Sequence, residues 1–160
     1  MKQLTRVLTS IAVLLVSLVA LAAVHALPAG LAVVTVPDDW TVRIEENHLV
    51  AVSRDEAVTL LLQDSKAMDV KPPLPQPFVG VDEFQPEGEP ERLRFNGFTG
   101  FIQRGKGRVD GKSVAAEEIH LTHRLRKFIV TGWAYGEDKK YTRERRDRTR
   151  RIVRSLRAME

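Results

Sequence analysis

Eighteen consecutive residues without a charge, Val7 to Val24, follow Lys2 and Arg6 at the start of this chain. A helix that is apolar on every side needs protein packed all around it, and the remaining residues are too few to supply that. A short basic region, an apolar stretch and then Val24-His25-Ala26, with compact residues three and one before a cut after Ala26, is the order of a signal peptide. Apolar character also continues through Leu31, Val33 and Val34, long enough for a membrane span of about 20 helical residues. Residues 1–26 are therefore read as a hydrophobic leader helix, either a signal peptide or an uncleaved membrane anchor, with 27–35 as a linker. In both cases Lys2 and Arg6 stay on the cytoplasmic side. The expected location is extracytoplasmic, in the periplasm or cell envelope, secreted or anchored by residues 7–27.

Of 160 residues, the part after the leader is about one domain's worth of chain. With no cysteine, disulfides, thiol catalysis, thiolate metal sites and a lipoprotein anchor all drop out. The formal charge of +4 falls to +2 once Lys2 and Arg6 are set aside, which argues against a nucleic-acid partner.

Beyond residue 35 the pattern is of short strands. Thr41–Glu45 alternates Val42 and Ile44 against polar neighbours, Leu49–Ser53 follows across Glu46-Asn47-His48 as a tight hairpin, and in Ala57–Gln63 Val58, Leu60 and Leu62 share a face, which together predict a three-stranded meander. Six of the eight prolines fall between Lys71 and Glu91, so 71–91 is expected to be a long proline-rich loop. Strands are predicted again at Arg92–Phe95 and Phe98–Arg104 around Asn96-Gly97, then on both sides of Asp110-Gly111, and finally over Arg124–Tyr135. From Glu137 the spacing of Tyr141, Thr149, Ile152, Val153 and Leu156 becomes helical. This amounts to one α+β domain over 36–160, an antiparallel sheet packed with a C-terminal helix.

Val36-Pro37-Asp38-Asp39-Trp40, the hairpin that follows and Leu49-Val50-Ala51-Val52-Ser53-Arg54-Asp55 together resemble the opening of exported domains of the PsbP-like or DcrB-like family. The Gly111-Lys112 hairpin, the aromatic last strand and a closing helix ending Ile152-Val153-Arg154-Ser155-Leu156 are similar to the end of that domain. The resemblance implies a PsbP-like sandwich and a binding or accessory role without shared catalytic residues. Asp39 stands where a glycine is common, and the proline-rich middle replaces a helix.

The residues themselves nominate no catalytic, cofactor-binding or metal site. His120 and His123 form H-x-x-H on a predicted strand, where positions three apart face opposite sides and do not chelate. Gly105-Lys106-Gly107 lacks the rest of a phosphate loop and is read as a hairpin tip. What stands above background is the last segment, where residues 137–160 carry ten Lys+Arg against five Asp+Glu. Arg143, Arg146, Arg150, Arg154 and Arg157 recur at three- and four-residue steps and are expected to form an outward basic strip on the helix. Its partner would be an anionic membrane surface or an unknown protein. The expected function is that of an exported, non-catalytic binding or accessory domain; a membrane-tethered structural factor and an enzyme of unrecognised type are the alternatives.

Overall fold

Four hairpin turns set the registers of the sheet. Glu46, Asn96, Asp110 and Arg124 all adopt positive φ, 50°, 45°, 50° and 55°, with Gly97 and Gly111 following at 80° and 74°. Paired positive-φ residues twist a two-residue turn to match its flanking strands, which is why Asn-Gly and Asp-Gly are legible as hairpins. The computed structural model describes residues 21–65, 80–135 and 139–160, with side chains described up to Ala134 and again from Arg143.

The strands are β1 (Ala22–Ala26), β2 (Ala32–Pro37), β3 (Thr41–Glu45), β4 (His48–Val52), β5 (Val58–Ser65), β6 (Asp82–Pro86), β7 (Glu91–Phe95), β8 (Phe98–Val109), β9 (Lys112–His123) and β10 (Arg126–Tyr135). A helix, α1 (Lys139–Arg154), and a two-residue strand, β11 (Arg157–Ala158), close the chain. The large sheet runs β3-β4-β5-β10-β9-β8-β6, with β7 also paired to β8, and all its pairings are antiparallel. A smaller sheet, β1-β2-β11, joins the two ends of the domain. The α+β class expected from the sequence is the one observed.

One face of the large sheet carries the main core. Leu49, Leu60, Leu62, Phe98, Ile102, Ile119, Leu121, Phe128 and Val130 from its strands meet Val34 and Val36 of β2 and Ile152, Val153 and Leu156 from α1 and its C-terminal end. Phe98 and Phe128 are fully buried and stand edge to face at 5.1 Å, an arrangement that adds to the gain from area alone. Trp40 belongs to this core, at 8% exposure. Trp133 lies on the opposite face and is only partly buried, against Val81, Val109, Val114 and Ala116. Alternation along β10 separates Phe128 and Val130 from Ile129 and Trp133, so this central strand is apolar on both sides.

Three expectations about the chain's layout change. Residues 27–35 are no linker: Leu27, Leu31, Ala32 and Val34 are buried, and β2 begins at Ala32 rather than after the domain boundary drawn at Val36. The continuous apolar run from the leader into Val36 hid that strand, because periodicity cannot divide one greasy stretch into two. The leader's residues 1–20 lie outside the described residues, and its last part, Ala22–Ala26, is a strand rather than a helix. Of the expected loop 71–91, residues 71–79 likewise lie outside the described residues, as do 66–70 before it, whereas Asp82–Pro86 forms β6. That strand is at the sheet edge, with a register shift between Asp82 and Gln85 and Pro86 at its end, where a missing N–H costs no ladder bond.

Gly105-Lys106-Gly107 is corrected as well. It continues β8 instead of turning it, and a Cβ on Gly105 would stand 2.2 Å from the Gln85 carbonyl oxygen and 2.4 Å from the Phe84 ring. The glycines let β6 close on β8.

Candidate interaction surface

The arginine-rich helix docks over a buried carboxylate. Glu117 of β9 shares the core-facing side of its strand with Ile119 and Leu121, and its side chain is only 5% exposed. Directly across the ladder, Arg104 of β8 places Nε 3.2 Å from Glu117 Oε1 and Nη2 2.7 Å from Glu91 Oε2 on β7. From above, α1 contributes Arg146, with Nε 3.3 Å from the same Glu117 oxygen, and Arg150, whose guanidinium is 4.0 Å from Glu91. Two carboxylates on two strands thus hold one arginine from the sheet and two from the helix.

Burial pushes the Glu117 carboxyl above the usual carboxylate range, and the charges of Arg146 and Arg104 oppose that without overturning it. Its second oxygen, Oε2, is buried without a hydrogen-bond partner, as is Nε of Arg146. Glu91, far more exposed, is held below the ordinary range by the hydrogen bond from Arg104. Burial lowers Arg104, yet its bonds to Glu91 and Glu117 outweigh that and raise it on balance. The two partners of the Arg104–Glu117 pair give opposite accounts of its worth. At Glu117 burial is the larger effect, so desolvation offsets much of what the ion pairs contribute there.

The expected strip is split by this arrangement. Arg143 and Arg154 are exposed, Arg146 and Arg150 lean into the carboxylates, and Arg157 lies beyond the end of the helix, exposed on β11. The outward face of α1 is instead made by Arg143, Glu144, Asp147, Arg148, Arg151 and Arg154. Sequence spacing alone could not show that Arg146 faces inward, because its partner lies 29 positions away and meets it only through the fold. As for the apolar side of the helix, Thr149, Ile152, Val153 and Leu156 are buried as expected, and the Tyr141 side chain lies outside the described residues. Beside the helix runs a groove lined by Leu93, Phe95, Ile102, Ile119 and Val153, with Glu91, Arg150 and Arg154 at its rim.

His120 and His123 point to opposite faces of β9, as read from the sequence. His123 packs on Phe98 in the core-side layer at 5.1 Å, while His120 stacks on Phe101 at 5.0 Å and bonds Glu118. Among the described residues no group of three or more His, Cys, Asp or Glu side chains converges as a metal site would require.

The architecture is that of an α+β domain in which one helix and a terminal strand pair cover one face of an antiparallel sheet. Among solved structures it is similar to the crystal structure of LpqN, described as involved in cell envelope biogenesis of Mycobacterium tuberculosis, with a TM-score of 0.50 and 19% sequence identity over 81% of this chain and 83% of that one. At that identity the likeness is one of fold. No protein family and no curated protein matches the sequence.

Proposed function

We propose that this chain is an exported, non-catalytic accessory domain of the cell envelope, related to PsbP-like or DcrB-like domains, which rests against an anionic membrane surface through the outward arginines of α1. The observation that carries the reading is the exposure of Arg143, Arg148, Arg151 and Arg154 on one helix, continued by Arg157 just beyond it. Each basic residue near an anionic surface contributes about 1 kcal/mol. Export is supported by the basic and apolar leader. With β1 beginning at Ala22, the uncharged run before it, Val7–Leu21, is fifteen residues long. That length suits a signal peptide's apolar region and falls short of the roughly 20 residues of a membrane span, favouring removal over anchoring. An accessory role agrees with the envelope function stated for LpqN.

Vesicle co-sedimentation of the exported protein tests this reading. Binding should require anionic lipid, fall as salt rises, and drop by roughly a hundredfold when Arg143, Arg151 and Arg154 all become glutamine, at about 1 kcal/mol each. Indifference to lipid charge overturns the membrane partner and leaves an acidic protein as the alternative.

A further inference from the structure

The two edges of β2 are satisfied in different ways. On the inner edge Val33 and Ala32 pair with Arg157 and Ala158 of β11. Where β11 falls short, Ser155 Oγ accepts the Thr35 N–H at 2.8 Å, and its one proton lies between the Ile152 carbonyl at 2.6 Å and the Thr35 carbonyl at 3.2 Å. Alternation along a strand then turns the amides of Val34 and Val36 to the outer edge, where β1 pairs from Ala22 opposite Pro37 to Ala26 opposite Val33.

Little besides that backbone pairing holds β1 in place. Four of its five side chains are exposed, Val24 at 65%, and Leu21 just before it at 73%. The first side chain to enter the core is Leu27. A cut after Ala26 therefore removes no core residue and leaves the outer edge of β2 bare, its Val34 and Val36 groups facing water.

We infer that the outer edge of β2 is a pairing surface which β1 caps before the leader is removed, and that its occupant afterwards is the same edge of a second copy. The inference rests on the proposal that the leader is cut on export. Because β1 buries almost no side chain, the edge offers backbone bonding without side-chain pockets, so recognition follows from matching backbone geometry. The cut that frees this edge in one copy frees it in every other. Antiparallel pairing about a two-fold axis through Thr35 sets Val34 opposite the second copy's Val36, so both copies offer the same donors and acceptors. Pro37 does not interrupt the match, since by alternation its missing N–H belongs to the inner edge. In the uncut chain β1 occupies the edge and blocks pairing until export, the sort of covering that edge strands need against untimely association.

The absence of cysteine gives a clean readout. Thr35→Cys is introduced into the full-length chain, the exported form is recovered, and its mass and its disulfide-linked dimer are measured. Arg143→Cys on the exposed helix face serves as the control. The expected result is a mass beginning at Leu27, and a Thr35→Cys dimer forming at least about tenfold faster than the control through the effective concentration of the pre-formed pair. The unsubstituted exported protein should sediment as a concentration-dependent dimer, a measurement that stands even if the variant folds poorly. A full-length mass overturns both leader removal and the uncovering of the edge, and a shorter mass that retains β1 overturns the uncovering alone. A mass lacking β1, with no excess dimer and a monomer at all concentrations, overturns the pairing alone.

Discussion

The carboxylate of Asp64, at the end of β5, accepts the backbone N–H of Leu31 at 2.8 Å across 33 positions of sequence. Its other oxygen takes the N–H of Ala29 at the same distance. One buried side chain thus fixes the turn between β1 and β2 onto the large sheet and sets the angle at which β2 meets the core.

Replacing Asp64 with alanine leaves two amides unpaired at a site only 6% exposed. The expected loss is about 2–4 kcal/mol in urea unfolding, since the buried bond to Leu31 is worth about 1.5–3 kcal/mol and the part-buried bond to Ala29, whose amide can turn to water, about 0.5–1 kcal/mol. Asp64→Asn, which keeps one acceptor, should lose about half as much. A change under 0.5 kcal/mol for Asp64→Ala, within the range of an ordinary surface substitution, would show that the turn is held by Leu27 and Leu31 packing instead.

Ser155→Ala removes both contacts to the Thr35 backbone. Stability should fall by about 1–2 kcal/mol. Hydrogen exchange at the Thr35 amide should accelerate more than at Val34, whose amide faces the other edge. Equal acceleration at both would mean that β2 is released as a unit.

Trp133 buries its indole Nε1 without a partner. Trp133→Phe discards that donor while keeping most of the ring, so it should stay within about 1 kcal/mol of the parent, whereas Trp133→Ala should cost about 3 kcal/mol through the lost packing. Calorimetry that finds the two substitutions equally damaging would place an unrecognised hydrogen bond on the indole.

The raised pKa of Glu117 has a definite sign. Folding favours its protonated form, so its contribution to stability is fully present below the ordinary carboxylate value and is lost as pH rises through the raised folded value. Asp55 and Glu91 are shifted downward and act oppositely, losing their contribution as pH falls. Glu117→Gln isolates the first effect. The stability of the parent minus that of the variant should decrease from pH 4 toward neutrality in matched denaturation curves, and a difference that grows with pH would mean that the arginines outweigh burial.

How much of this was legible in the sequence depends on the range of the interaction responsible. Asn96-Gly97 and Asp110-Gly111 announce their turns because the positive φ values are a local demand. The alternation in β3, the shared face of Val58, Leu60 and Leu62 in β5 and the two-sided apolar pattern of β10 are local too, and the meander and central strand follow from them. β2 was hidden because Val33 and Val34 continue the apolar leader without a polar break. Gly105 and Gly107 look like a turn until β6 is seen lying against them. The inward tilt of Arg146 is set by Glu117, and that pairing exists only once the remaining six residues of β9, Glu118–His123, and the whole of β10 have been placed in the sheet.

The pairing of β11 with β2 also decides how the molecule bears load. Once the chain is cut after Ala26, both of its ends leave the domain at the same corner, where the Leu27 N–H donates to the Ala32 carbonyl and the Met159 N–H to the Leu31 carbonyl, each at 2.9 Å, next to the Ala158–Ala32 pair. In a protein held at its N-terminus and pulled at its C-terminus, tension meets these bonds one after another, as in a zipper, instead of shearing them together. The last few residues therefore peel away at low force, while the strands behind Phe98 and Phe128 stay closed.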